Sequence, residues 1–161
     1  MLIDADALNM LAENKTWLSF LPKGCILTPH PGEFKRLVGN WPDDFERLDM
    51  LRDFALKYGQ FIVLKGKHSS IACPDGRIYF NSTGNAGMAT AGSGDVLSGI
   101  ITSLLAQGYA SEQAALMGVY LHGLAGDIAA ELNGERSMIA GDIVDCISAA
   151  YEQIGNLESE I

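Results

Sequence analysis

The chain has 161 residues, of which 48% are hydrophobic and 19% are charged, and its formal net charge is −9. This length and apolar content indicate a globular domain with a hydrophobic core, and they exclude a disordered chain, which is poor in apolar residues. The most membrane-like stretch, 96–108, is too short and too polar to span a bilayer, which needs about 20 apolar residues.

The charges are distributed unevenly along the chain. Residues 1–80 contain ten Lys or Arg and ten Asp or Glu, whereas residues 81–161 contain Arg136 against ten Asp or Glu. Because no basic residue lies between Arg77 and Arg136, this region offers no cationic stripe for a nucleic-acid backbone. We therefore expect no nucleic-acid partner, and we expect backbone N–H groups to hold any phosphate that binds there.

The N-terminal residues and the cysteines predict a cytoplasmic protein. Asp4 and Asp6 stand where a signal peptide would carry Lys or Arg. Cys25, Cys73 and Cys146 are odd in number and form no C-x-x-C pair, which indicates reduced thiols rather than disulfides or a zinc site. We expect no membrane partner.

The predicted elements alternate early between strands and helices and are helical late. In chain order they are strand 1–4, helix 5–11, strand 24–28, helix 33–38, helix 42–58, strand 61–66, hairpin strands 70–73 and 77–80, and helices 94–107, 112–133 and 141–154. This order is typical of a layered α/β domain. Five short strands are few for three long helices, so we expect the chain to be part of a larger sheet.

Three of these elements carry local signals. Helix 42–58 is predicted to end at Gly59 and to have one apolar face. That predicted face consists of Phe45, Leu48, Leu51, Phe54 and Tyr58. The apolar run at the start of segment 61–66 is typical of a strand buried on both faces of a sheet. Ser111 is predicted to cap helix 112–133.

The segment 81–95 has the composition of an anion-binding loop, since it contains four glycines and precedes an apolar helix. Asp95 lies in the first turn of that helix, where a carboxylate beside a phosphate is suited to bind a metal ion or to take a proton from an attacking hydroxyl. The residues alone also allow Ser93 or Asp95 to act only as a helix cap. The spacing matches neither the dinucleotide-binding nor the Walker glycine motif.

Three further segments carry polar groups at predicted strand ends, where ligands bind in α/β sheets. They are Asp4 to Asp6, the T-P-H-P-G-E run 28–33 and the K-G-K-H-S run 65–69. Each also has a structural interpretation, as a cap, a rigid turn or a solvated loop. His122, within helix 112–133, is interpreted as an interior residue rather than a catalyst.

Taken in order, residues 4–9, 28–33, 65–69 and 85–99 resemble the ADP/ATP-dependent NAD(P)H-hydrate dehydratases of the ribokinase-like superfamily. The resemblance implies a three-layer α/β/α ribokinase-like fold that lacks its N-terminal strands and helices, so that 1–161 is a single partial domain. It also implies repair of the S epimer of hydrated NADH or NADPH, with ADP or ATP as co-substrate and Mg²⁺ as counter-ion.

The same resemblance implies the roles of individual residues. Asp95 is the expected general base and contacts the hydrated cofactor, to which His30, Asp6 and Asn85 are also assigned. The nucleotide site is expected to consist of Lys65, Gly66, Lys67, His68, Ser69, Gly92, Ser93 and Gly94. No residue is assigned as a metal ligand.

Members of that family place further strands before the Asp-Ala-Asp-Ala-Leu motif, so we expect an exposed sheet edge and a homo-oligomer. Two alternatives remain open. One is a small-molecule kinase of the same superfamily, of the hydroxymethylpyrimidine or sugar type, and the other is a non-catalytic nucleotide-binding fragment.

Overall fold

A computed structural model describes residues 1–159, with side-chain surroundings up to residue 155. In chain order the elements are β1 (Leu2–Ile3), α1 (Asp6–Glu13), β2 (Ile26–Leu27), α2 (Pro31–Val38), α3 (Asp44–Tyr58), β3 (Phe61–Leu64), β4 (Ser70–Ala72), β5 (Ile78–Phe80), α4 (Ser93–Ala106), α5 (Ser111–Asn133), α6 (Ala140–Asp145) and α7 (Ile147–Ser159). Two short 3₁₀ helices, Lys15–Phe20 and Ala86–Met88, complete them.

The five strands form one sheet in the order β1-β2-β3-β4-β5. Strands β1, β2 and β3 are parallel, and the β4–β5 hairpin continues the sheet in antiparallel fashion. The carboxyl ends of the three parallel strands therefore lie along one edge of the sheet, which is where α/β proteins bind ligands.

Alternate residues of each strand face opposite layers, as the period of a β-strand requires. In β2 and β3, Ile26 and Val63 pack with helices α4 to α7, whereas Leu27 and Ile62 pack with α1, α2 and α3. Helices thus cover both faces of a sheet whose central strand is fully buried. The predicted three-layer α/β/α arrangement is confirmed.

Several predicted boundaries are confirmed and others are wrong. Helix α3 ends at Gly59, which has the left-handed conformation with φ +67°. The last predicted helix, 141–154, is instead two helices, because the Cys146 N–H contacts the carbonyl oxygens of residues 142, 143 and 144 and closes α6. Helix α5 begins at Ser111 itself, whose hydroxyl donates to the Gly24 carbonyl (2.7 Å) and does not cap the helix.

Phe45 is a further error of the prediction, because its side chain is 82% exposed. Phe45 and the buried Phe54 are nine positions apart, and at about 100° per residue this places the two side chains on opposite sides of α3. The buried face of α3 consists of Leu51, Phe54 and Ala55.

Within residues 1–159, none of the helices combines the length and apolar character that crossing a membrane requires. The three cysteines are free thiols, and all are buried.

A buried glutamine joins the start of β3 to the segment before β2. The Gln60 side chain has no exposed surface; its Oε1 accepts from the Cys25 N–H (2.8 Å) and its Nε2 donates to the Pro22 carbonyl (3.0 Å). Burying a polar group is tolerated only when its hydrogen bonds are made, so this amide fixes the approach of two adjacent strands.

We expect Gln60→Leu to lower the free energy of unfolding by about 2 kcal/mol, because it leaves the buried Cys25 N–H without an acceptor. Urea denaturation measures this change. The matched control is Gln107→Leu at an exposed position, for which we expect a change of about 0.5 kcal/mol or less. Equal losses in the two variants would contradict the role given to Gln60.

Candidate functional site

The carboxyl ends of β1, β2 and β3 meet the first turns of helix α4. Asp4 follows β1, the segment 28–30 follows β2 and Lys65 follows β3. The Lys65 N–H donates to the Pro29 carbonyl (2.9 Å), which ties the last two segments together. Three of the four sequence blocks thus lie side by side, and Ser98 of α4 connects the fourth to Asp4.

Asp4 forms the centre of this junction. Its Oδ1 accepts from Lys65 Nζ (3.0 Å) and from the Ala5 N–H (2.8 Å), and its Oδ2 accepts from Ser98 Oγ (2.7 Å). The Asp4 and Lys65 side chains are only 12% and 23% exposed. Burial alone would raise the pKa of Asp4, but the hydrogen bonds from Ser98 and Lys65 and the charge of Lys65 hold that pKa below its usual value.

Lys65 lies beside the start of α4, where its Nζ would be 3.5 Å from a Cβ placed on Gly94. In the part of the chain that the structure describes, the N–H groups of Gly92, Gly94 and Asp95 donate to no other group. These free N–H groups carry the positive end of the helix dipole and attract anions. Folding thus places the Lys65 ammonium beside these N–H groups, whereas the charges of segment 81–161 alone predicted only backbone N–H groups here.

Asp95 is exposed in the first turn of α4, and its carboxylate has no hydrogen bond or ion pair among the described side chains. Gly92 is the N-cap of the helix, with φ +87° and no side-chain capping bond. The interpretation of Ser93 or Asp95 as a simple cap is therefore wrong. The Asp95 carboxylate is free to meet a ligand held by the neighbouring N–H groups.

His30 caps helix α2 through its side chain. Its Nδ1 accepts from the N–H groups of Gly32 (2.9 Å) and Glu33 (3.3 Å), while Glu33 Oε2 accepts from the His30 N–H (2.7 Å). Because Nδ1 is an acceptor, the proton of the neutral ring is carried by Nε2. Nε2 lies 3.5 Å from Glu33 Oε1, and the ring is half exposed, so this N–H can also reach a ligand.

The loop before α4 is fixed to helix α5. Asp127 accepts from the Gly84 N–H (2.8 Å) and from Asn85 Nδ2 (3.0 Å), and Asn85 Nδ2 also donates to the Gly126 carbonyl (2.9 Å). A Cβ on Gly123 would come within 2.1 Å of Thr83 Oγ1, so α5 needs glycine there for the loop to approach. Both N–H groups of the Asn85 amide are therefore used in holding the loop.

The remaining predicted site residues follow Lys65 or Asp4 in the chain and, within residues 1–155, form no hydrogen bond with the junction. Gly66, Lys67 and His68 form an exposed turn, and Ser69 Oγ donates to the Gly66 carbonyl (3.4 Å). Asp6 is exposed in the first turn of α1, so Asp4 rather than Asp6 occupies the junction.

Sequence reasoning assigned no site role to Ser98 and Asp127, which the fold places at or around the site. Asp4 was a candidate together with Asp6, but the role was assigned to Asp6. The interpretation of His122 as an interior residue is confirmed, and its ring lies beside the first residue of α4. A carboxylate and a histidine within the mostly apolar α5 were a usable signal, because buried polar groups need partners. Nothing local marked Ser98, whose partner Asp4 is 94 residues away in the chain.

The larger of the two described cavities, about 560 Å³, lies elsewhere, between the β4–β5 hairpin and helices α5 and α7. Tyr79, Met117, Tyr120 and Tyr151 line it, together with further uncharged residues. A cavity without charged groups is not suited to phosphates, so we place the candidate site at the start of α4.

Comparison with solved structures defines the class. The chain matches an ADP/ATP-dependent NAD(P)H-hydrate dehydratase of Bacillus subtilis, co-crystallised with ATP and Mg²⁺, with a TM-score of 0.80 and 31% identity. The match covers 94% of this chain and 54% of that chain. The architecture is therefore that of the ribokinase-like dehydratases.

The chain belongs to the NAD(P)H-hydrate dehydratase family, whose model matches residues 1–149. It is 47% identical to the bifunctional NAD(P)H-hydrate repair enzyme Nnr of Moorella thermoacetica, over 99% of this chain and 30% of that protein. It is 46% identical to the ADP-dependent (S)-NAD(P)H-hydrate dehydratase of Neisseria meningitidis, over 89% of this chain and 50% of that protein. The chain thus spans half or less of the length of these two relatives.

We expect Asp4→Asn to lower the free energy of unfolding by about 2–3 kcal/mol at pH 7, because it leaves the half-buried Lys65 ammonium without its partner. Since the folded pKa of Asp4 is depressed, its stabilisation is complete above the unfolded pKa of about 3.9. It is lost as pH falls through the folded pKa, so the two proteins should converge in acid.

The matched control is Asp49→Asn, which removes an exposed ion pair with Arg52 (2.8 Å; Asp49 is 62% exposed). We expect this control to change stability by about 0.5 kcal/mol or less. Urea denaturation at several pH values measures both variants. A loss in Asp4→Asn that does not shrink in acid would contradict the ion-pair assignment.

Proposed function

We propose that this chain carries the nucleotide site and the general base of a dehydratase that repairs the S epimer of hydrated NADH or NADPH, using ADP or ATP. Its family supports this proposal, as do relatives named for that repair activity. The carrying observation is the junction at α4, where Lys65 and free N–H groups adjoin the exposed Asp95 carboxylate.

The groups at this junction fit a phosphoryl transfer followed by an elimination. The ring hydroxyl of the hydrated cofactor attacks the terminal phosphorus of the nucleotide as Asp95 takes its proton, and the bond to the leaving phosphate oxygen breaks. The ring carbon–oxygen bond then breaks, phosphate leaves, and the adjacent ring carbon loses a proton to restore the double bond. From ADP, the products are AMP, phosphate and the reduced cofactor.

The nucleotide lies across two segments in this proposal. The phosphates bind Lys65 and the start of α4, at Gly92, Ser93 and Gly94, where positive groups stabilise the charge that develops during transfer. The turn Gly66, Lys67, His68 and Ser69 borders the rest of the nucleotide, since it directly follows Lys65.

The hydrated cofactor is assigned to Asp95 and to the Nε2–H of His30 at the end of β2. Asp6 and Asn85 are assigned to the hydrated cofactor as well. The Asp6 side chain lies on the exposed side of α1, so the cofactor would contact it from there. Both N–H groups of the Asn85 amide hold the loop. The partly exposed surface of the Asn85 side chain is then what remains for the substrate.

Mg²⁺ is proposed to bind together with the nucleotide. The described residues contain no cluster of three or more His, Cys, Asp or Glu suited to a metal ion. Mg²⁺ usually binds nucleotides through their phosphates, several waters and one or two carboxylates, so the residues present fit this mode. Bound in that way it would neutralise phosphate charge, and no step of the reaction is assigned to it.

We further propose that the protein is a cytoplasmic homo-oligomer. The free, buried thiols support a reducing compartment. Strands β1 and β5 form the two edges of the sheet, and unpaired edge strands favour pairing with another chain.

The test is recovery of reduced-nicotinamide absorbance from hydrated NADH epimers with Mg²⁺ and ADP, ATP or no nucleotide. We expect Asp95→Asn to lower the rate of absorbance recovery at least about 100-fold, because general-base catalysis typically contributes that factor. ADP affinity should stay within about threefold of that of the unaltered chain. Asp145→Asn, exposed in α6, is the matched control and should retain the rate.

The outcomes separate the alternatives. Equal rates in Asp95→Asn and the unaltered chain would remove the base assignment. Nucleotide consumption that requires an added hydroxymethylpyrimidine or sugar, without absorbance recovery, would favour a small-molecule kinase, because the added hydroxyl is then the phosphoryl acceptor. Binding of ADP, seen as a raised melting temperature, without any turnover would favour a non-catalytic nucleotide-binding chain.

A further inference from the structure

A buried contact between a histidine and a serine joins helices α4 and α5 beside the candidate site. His122 Nε2 lies 3.3 Å from Ser93 Oγ, and the two residues are only 9% and 7% exposed. Ser93 is the first residue of α4, within the group of residues assigned to the nucleotide phosphates. The reaction proposed above gives His122 no role.

Ser93 can reach a bound phosphate through its hydroxyl rather than its backbone. Its N–H donates to the Thr90 carbonyl (3.3 Å), unlike the free N–H groups of Gly94 and Asp95. A hydroxyl offers one donor and two acceptor positions, so the Ser93 Oγ can contact His122 and still donate to an anion.

The imidazole of His122 is a neutral hydrogen-bonding group. Burial, together with the charge of Lys65, lowers its pKa to about 4, although a hydrogen bond with the Ser93 backbone opposes this shift. At neutral pH the ring therefore adds no charge next to Lys65. It can only fix the position of the hydroxyl that it contacts.

Helix packing holds the ring in place. A Cβ on Gly118 would come within 2.6 Å of Ile101 Cγ1, and one on Gly123 would come within 2.1 Å of Thr83 Oγ1. These glycines, on either side of His122, let α5 pack closely against both α4 and the loop before it. Close packing therefore fixes the separation of the two backbone segments that carry His122 and Ser93.

We infer that His122 is a positioning residue for the nucleotide: its Nε2 holds the Ser93 hydroxyl at the start of α4, so that this hydroxyl donates to a phosphate oxygen of ADP. The inference rests on the proposed function, because it requires the nucleotide to bind at α4. His122 itself touches neither the nucleotide nor the reacting atoms.

The test measures ADP affinity by titration calorimetry in the unaltered chain, His122→Leu, Ser93→Ala and the double variant. We expect each single change to weaken ADP binding about tenfold, the effect of one hydrogen bond to a charged group. The double variant should also be weakened about tenfold rather than about 100-fold, because both changes remove the same interaction. Ser103→Ala, exposed on α4, is the control and should bind normally.

Two further variants separate positioning from packing. His122→Gln places an amide near the position of Nε2 and should restore ADP affinity to within about threefold. His122→Asn reaches only the position of Nδ1 and should remain about tenfold weaker. Thermal unfolding without ligand shows that each variant is folded.

Three results would overturn the inference. They are an unchanged ADP affinity in His122→Leu, an affinity about 100-fold weaker in the double variant, or equal weakening of ADP binding in His122→Gln and His122→Leu. If the unaltered chain does not bind ADP, the proposed function fails, and the inference fails with it. Normal binding by the unaltered chain and by His122→Leu would refute the inference alone.

Discussion

The ion pair between Asp4 and Lys65 is the interaction on which the candidate site depends. It lies at the carboxyl ends of β1 and β3, and Ser98 extends it to helix α4. A charge in a half-buried position is expensive unless it is paired and hydrogen-bonded, so these partners must keep their positions. The pair therefore does more than connect three elements. It also holds the Lys65 ammonium beside Gly94 at the start of α4.

This position matters because the second half of the chain is strongly acidic. Residues 81–161 contain one Arg and ten acidic residues, so a phosphate would meet repulsion there without a fixed positive group. Folding supplies that group from the end of β3 and adds free N–H groups of α4. Asp95 remains exposed next to them, where a base is needed for a hydroxyl to attack phosphorus. One arrangement thus accounts for both the proposed nucleotide site and the proposed base.

Local sequence signals predicted the fold where the physical cause is itself local. The apolar β3 and the Gly59 helix end follow from patterns within a few residues, and the glycine loop before α4 follows from its composition. Two predictions from the sequence failed. Phe45 was placed on the apolar face of α3, although the helical period puts it on the opposite side from Phe54. The site role was assigned to Asp6 rather than to Asp4. The partners of Asp4 are 61 and 94 residues away, so only the folded chain reveals them.

We propose that the start of α4 holds the nucleotide phosphates. Titration calorimetry of ADP with the variants Gly94→Val and Gly99→Val tests this proposal. Both glycines lie in α4, but a side chain on Gly94 points toward Lys65 Nζ, whereas a Cβ on Gly99 meets no atom within 4 Å. We expect ADP affinity to fall at least about tenfold in Gly94→Val and to stay unchanged in Gly99→Val. Equal affinities in the two variants would contradict the proposal.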